Sequence, residues 1–276
     1  MKKVFSFIAI ALVVFALSAC AGTKNGTEEK DGNKKLVVGA SAVPHAEILE
    51  AAKPLLKKKG IDLEVQVFQD YILPNVALRD KELDANYFQT PGYLELQMKE
   101  NKDYDFVSVG GIHKEPIGIY SKKYKSLKDL PKGAKIIMSD SFSDHGRILP
   151  IFEKAGLIKL KEGVGVNARV EDIVENPKNL DFSTLVEAKL LATSFESGEG
   201  DAVVINTNYA LEGDIDIKKY GIAFEGSDVV PANLVVVRSE DKNSKEIKAL
   251  VEVLHSKEIQ DFILKQYKGA VVPVSE

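Results

Sequence analysis

The stretch LVVGASAVPHAEILEAAKPLLKKKGIDLEVQVF, running from Leu36 to Phe68, decides the fold class. Leu36 to Ala40 is a short apolar run containing Gly39 and reads as a buried strand. Pro44 opens a helical pattern in which Ile48, Ala52, Leu55 and Leu56 share one face. Pro54 is expected to kink or shorten that helix, and Gly60 to stop it. Ile61, Leu63, Val65 and Val67 then alternate with Asp62, Glu64 and Gln66, which is a strand signature. Strand, helix and strand within about thirty residues make a βαβ unit.

The same grammar continues downstream. Phe106–Val109, Ile117–Tyr120, Lys135–Met138, Ala202–Ile205 and Leu234–Val237 read as short strands. Arg147–Ala155, Thr184–Ala192, Lys245–Leu254 and Glu258–Tyr267 have helical spacing. The expectation is an α/β protein with mostly parallel sheets covered by helices on both faces. In open parallel sheets, ligands sit beyond the carboxyl ends of strands. The segments to inspect are therefore Ser41–His45, Gln69–Asn75, Gly110–His113, Ser139–Arg147, Asn206–Tyr209 and the surroundings of Asn233.

Upstream, Lys2 and Lys3 precede an almost unbroken apolar run from Val4 to Leu17. The run is short for a membrane span, which needs about twenty residues, and has the order of a secretory signal. Leu17-Ser18-Ala19-Cys20 resembles the lipobox of bacterial lipoproteins. The resemblance implies a signal peptide over residues 1–19, cleavage before Cys20 and a lipid on its thiol. Residues 20–35 hold glycines, asparagines, acids and lysines with no large apolar side chain, so a flexible leash is expected.

Among the 276 residues, 37 basic residues face 41 acidic ones, 45% are hydrophobic and 28% charged. That balance excludes a disordered chain and a basic nucleic-acid binder. Loss of Lys2 and Lys3 leaves 35 basic residues against 41, a net charge of −6, so a lipid rather than a basic patch must hold the chain at a membrane. The single cysteine excludes an intrachain disulfide and a CxxC metal site. His45, His113, His145 and His255 are scattered and form no HExxH pattern, and no G-x-S-x-G elbow exists, so neither a metal nor a catalytic set is expected. Asp214 and Asp216, and the Gly163-x-Gly165 pair, read as loop.

Six ordered blocks carry a more specific resemblance. They are Val38–Ser41 with Val43–Leu49, Asp70–Asn75, Asp84–Gln89, Gly156–Leu160, Glu175–Leu180 and Ala202–Ala210. Together they resemble the NlpA family of methionine-binding lipoproteins, from about Leu36 to the C-terminus. The resemblance implies a type II periplasmic-binding-protein fold, two α/β lobes joined by two hinge strands. Lobe one would comprise residues 36–113 plus 230–276, and lobe two 114–229. The implied protein is a lipid-anchored, monomeric binding protein of an ABC importer on the extracytoplasmic face of the cell membrane. It would capture methionine or a close relative between the lobes, deliver it to a permease and its ATPase, and use no cofactor.

The same resemblance implies the site. Arg147, after Gly146, would take the ligand carboxylate, which a guanidinium can bind with two parallel hydrogen bonds. Tyr71, Phe88 and Tyr93 would wrap the thioether, and Asn206 and Asn233 would hold the polar backbone. Each has a plainer reading: a solvated arginine, ordinary core rings, turn asparagines. Two positions depart from the family pattern. Thr90 stands where a histidine is usual, and Asp144 stands where an asparagine is usual, three residues before the arginine. Asp144 could accept from a ligand ammonium or pair with Arg147. These departures make a different amino acid or a short peptide the alternative ligand. An extracytoplasmic enzyme or an adhesin on a similar scaffold are the rival functions.

Overall fold

The computed structural model describes residues 33–274, so the expected signal segment and Cys20 lie outside the described residues. No helix among the described residues is long and apolar enough to cross a membrane. The chain forms β1 (Lys34–Ser41), α1 (Glu47–Lys58), β2 (Ile61–Phe68), α2 (Leu73–Arg79), β3 (Ala85–Gln89), α3 (Pro91–Glu100) and β4 (Phe106–Lys114). It continues through β5 (Gly118–Tyr120), β6 (Lys135–Ser139), α4 (Phe142–Lys154) and a small ribbon, β7 (Lys159–Leu160) with β8 (Ile173–Glu175). Then come β9 (Asp181–Val186), α5 (Leu191–Glu196), β10 (Ala202–Ile205), α6 (Thr207–Glu212), α7 (Ile217–Tyr220) and β11 (Gly221–Phe224). The last part is β12 (Ala232–Arg238), α8 (Lys245–Leu254), α9 (Lys257–Tyr267) and β13 (Val272–Pro273).

Two sheets organise these elements. The first has the order β13-β4-β12-β3-β1-β2 and the second β11-β5-β10-β6-β9. The chain passes from the first to the second after β4 and returns after β11. This is the type II periplasmic-binding-protein fold, with two α/β lobes and two connecting crossovers.

Side-chain alternation builds a core on each face of each sheet. In β12, Val235 and Val237 join α1, α8 and α9, while Leu234 and Val236 join the cluster under α2 and α3. In the second sheet, Ile136 and Met138 of β6 meet Ile148, Leu149 and Phe152 of α4. Ile137, between them, faces Leu191 and Phe195 of α5. Strands buried on both faces must be apolar at nearly every position, which is why β10 reads Ala202-Val203-Val204-Ile205 without a break.

Several expectations are corrected. The sheets are mixed rather than mostly parallel: β12 runs antiparallel to both β3 and β4, and β5 to both β10 and β11. A chain that leaves through one strand and returns beside it must run the other way. Thr184–Ala192 is not a helix. Thr184 to Val186 pair with Ile137 to Ser139 as the edge strand β9, and α5 starts only at Leu191. Pro54 neither ends nor splits α1, because it lies on the exposed face where the lost backbone bond falls in solvent. Gly110–His113 is interior to β4 rather than a loop after it. Lys34 and Lys35, placed in the leash, already pair with Ile61 and Asp62. Gly60 does end the helix, in a left-handed conformation at φ +75° that suits glycine.

Candidate functional site

A pocket lies where the two crossovers meet the cleft. It encloses about 420 Å³ free of protein atoms, mouth included. Its lining draws on both sheets and, through Glu115 and Ile117, on the outgoing crossover.

The first sheet supplies rings. Phe88 and Gln89 end β3, Thr90 and Tyr93 begin α3, and Tyr71 sits in the loop before α2. Ring centroids lie 6.0 Å apart for Tyr71 and Phe88, 5.9 Å for Tyr71 and Tyr93, and 6.0 Å for Phe88 and Tyr93. A buried amide cluster holds this wall in register. Gln89 Nε2 donates to Asn75 Oδ1 and Asn86 Oδ1, each at 2.9 Å, and Asn75 Nδ2 returns a bond to Gln89 Oε1 at 3.2 Å. Asp70 Oδ1 accepts from the Ile72 and Leu73 amides, fixing the start of α2.

The second sheet supplies charge. Asp144 and Arg147 project from α4. Gly146 between them is required by packing, since a Cβ there would lie 1.9 Å from the Val166 carbonyl oxygen. Arg147 does not pair with Asp144. Its Nη2 donates to Glu225 Oε2 at 2.6 Å and to the Glu115 carbonyl at 2.9 Å, and its Nε lies 3.1 Å from Glu225 Oε1. Burial opposes the guanidinium charge, but the hydrogen bonds and charge of Glu225 raise its pKa, so it stays cationic. Its Nη1 makes no hydrogen bond among the described residues. Burial pushes the Asp144 carboxyl up, against the pull of Arg147, and Asn206 Nδ2 lies 3.4 Å from both its oxygens.

Asn206 and Asn208 flank the start of α6. Asn208 Oδ1 accepts from Tyr71 Oη at 2.6 Å, joining the walls, while Asn208 Nδ2 is a buried donor without a partner among the described residues. A buried donor left unpaired is costly, so it marks a place for a ligand oxygen.

Behind the pocket the fold gathers histidines that the sequence leaves scattered. His113 Nε2 and Glu115 Oε1 share a hydrogen bond of 2.5 Å, and Tyr87 Oη bonds to His113 Nδ1. His45 Nε2 donates to Asn233 Oδ1 at 3.1 Å and lies 3.4 Å from Glu115 Oε1. Burial lowers His45 to about 4 and His113 to about 3, so both rings are neutral near pH 7, and burial pushes Glu115 up. Ligand atoms of His45, His113 and Glu115 lie within 4.8 Å of one another, a spacing open to a cation. His113 bonds to Glu115 and Tyr87, and His45 Nε2 to Asn233, while His45 Nδ1 is buried with no partner among the described residues.

All eight residues expected at the site line this pocket: Tyr71, Phe88, Thr90, Tyr93, Asp144, Arg147, Asn206 and Asn233. Asn233 turns its carbonyl to His45, so it reaches the pocket as part of the buried network. Sequence reasoning missed Glu115, Asn208 and Glu225 as contributors. Glu115 sits beside Pro116 at the crossover and Glu225 follows the half-exposed strand β11, and neither position has a periodic signal. Asn208 lies inside an inspected segment, where its proximity to Asn206 hid it.

Two lobes, two crossovers and a ring-and-charge pocket between them define a solute-binding protein. The chain belongs to the NlpA lipoprotein family, whose model matches residues 36–275. It is 52% identical to the methionine-binding lipoprotein MetQ of Bacillus subtilis (strain 168), over the full length of both chains. It is 37% identical to the D-methionine-binding lipoprotein MetQ of Escherichia coli (strain K12), covering 98% of this chain and 97% of that one. Among solved structures, a nutrient-binding protein from Burkholderia cenocepacia bound to methionine superposes with a TM-score of 0.82. That pair is 42% identical and covers 86% of this chain and 99% of the other.

Proposed function

We propose that this protein is the binding component of an ABC importer for methionine. It is held on the extracytoplasmic face of the cell membrane by a lipid on Cys20 and works as a monomer. It captures free methionine between its lobes and hands it unchanged to a permease driven by an ATPase. The reading rests on one observation above the others: a cationic Arg147 whose Nη1 has no partner among the described residues lines the same pocket as the unpaired donor Asn208 Nδ2 and three aromatic rings. The carboxylate takes those donors. The ammonium lies toward Glu115 and Asp144, whose buried carboxyls gain a cationic partner. The thioether lies among Tyr71, Phe88 and Tyr93, where burial and sulfur–ring contact both contribute.

Thr90 and Asp144 do not redirect the reading to another amino acid or a peptide, because relatives 52% and 37% identical over nearly the whole chain are named for methionine. Capture works by population shift: methionine contacts both walls only in the closed form, so it favours closure. The pocket is read as performing no covalent step, in keeping with relatives that are binding proteins.

Thermal unfolding with L- and D-methionine tests the proposal. At a ligand concentration a hundred times Kd, the midpoint should rise by about 5–10 °C. No shift with either enantiomer, and no methionine retained through gentle purification by mass spectrometry, would end it.

A further inference from the structure

We propose that Glu225 is the positioning residue of the carboxylate site, fixing Arg147 so that only Nη1 is presented to the ligand. The proposal deepens the reading of the pocket as an amino-acid site and rests on it. Glu225 follows β11 on the returning crossover. Its amide donates to the Ile117 carbonyl at 2.9 Å, and its Oε2 accepts from the Ile117 amide at 3.2 Å. Backbone and side chain are thus both fastened to the outgoing crossover. The carboxylate, with a side chain only 3% exposed, meets the guanidinium along its Nε and Nη2 edge. Arg147 Nη2 also reaches the Glu115 carbonyl, so one guanidinium touches both connections between the lobes.

Two consequences follow for recognition. A flexible arginine on α4 becomes a fixed donor before the ligand arrives, which removes an ordering cost from binding. Glu225 also balances the arginine charge, leaving Glu115 and Asp144 as further acids around the pocket. A ligand carrying a carboxylate alone then meets a site with no surplus of positive charge, whereas a zwitterion places its ammonium on those acids. Glu225 thereby helps to select amino acids over simple carboxylic acids.

The test uses the full protein, wild type and Glu225→Gln, which keeps shape and removes charge. By nitrogen-15 NMR, the Arg147 Nε proton should exchange with water at least tenfold faster in Glu225→Gln. An unchanged rate overturns the proposal whatever the ligand is. By calorimetry, Glu225→Gln should bind L-methionine at least tenfold more weakly, while L-methioninamide, which lacks the carboxylate, changes less than twofold. Equal losses for both ligands would mean a merely structural role and overturn it. The double variant Arg147→Ala/Glu225→Gln should bind methionine no more weakly than Arg147→Ala alone, within twofold. An additive loss also overturns it. Wild type that fails to bind methionine would sink the amino-acid reading, and the exchange measurement would still decide the role of Glu225.

Discussion

The wall made by Tyr71, Phe88 and Tyr93 and the wall made by Arg147, Asp144 and Glu225 answer to different physics. The ring wall acts through area and shape. Tyr93 meets Tyr71 and Phe88 edge-on, those two are tilted at 34° to each other, and only Tyr71 and Tyr93 also make hydrogen bonds, to Asn208 and the Tyr71 carbonyl. Trimming it should degrade binding gradually. The charged wall acts through pairing in a buried place, where removing one partner strands the other. It should fail abruptly.

Arg147→Ala probes that contrast most strongly. It removes the carboxylate partner and leaves Glu225 buried without its cation, held only by the Ile117 amide. Methionine affinity should drop about 100-fold or more, with stability falling by about 3–5 kcal/mol. Calorimetry and urea unfolding check the two effects, and a loss under tenfold would erase the distinction between the walls. Phe88→Ala should cost about 2 kcal/mol of binding, near 30-fold, through lost apolar contact alone. Phe88→Leu should recover most of it, whereas no isostere should replace Arg147.

Acid sharpens the comparison from behind the pocket. His45 and His113 have folded pKa values of about 4 and about 3, below their unfolded value near 6.5, so the native state binds fewer protons than the unfolded chain. Their contribution is intact above pH 7 and is lost as pH falls from 6.5 toward 4. Glu115, shifted upward by burial, works in the opposite sense and limits the fall. Unfolding free energy should drop between pH 7 and pH 5 by less than the roughly 4 kcal/mol that the two histidines alone would give, and His45→Gln should shrink that drop. The smallest expected effect is Asp144→Asn, about a fivefold loss for methionine from a weaker ammonium partner. An increase in affinity would mean that Asp144 opposes the ligand carboxylate instead.

Much of this was legible in the chain. The alternation over Ile61–Val67 and the apolar runs at Ala202–Ile205 and Leu234–Val237 gave strands where they lie, because burial on one or both faces leaves a periodic mark. The Gly-Arg pair has a visible cause in the Val166 backbone pressed against Gly146. The antiparallel pairs were hidden because strand direction depends on where the chain crosses between sheets, not on local pattern. Thr184–Val186 misled because an edge strand with one buried face can imitate helical spacing over a few residues. Glu115 and Glu225 were hidden because a carboxylate buried beside an arginine looks like any surface acid until the fold brings Ile117 and β11 together.

A crystal structure of the methionine complex tests the central claim most directly. The account predicts one methionine per chain, its carboxylate on Arg147 Nη1 and Asn208 Nδ2, its sulfur among Tyr71, Phe88 and Tyr93, and Glu225 still on Arg147. Methionine bound elsewhere, or an Arg147 side chain swung away from the cleft with the ligand in place, would contradict it.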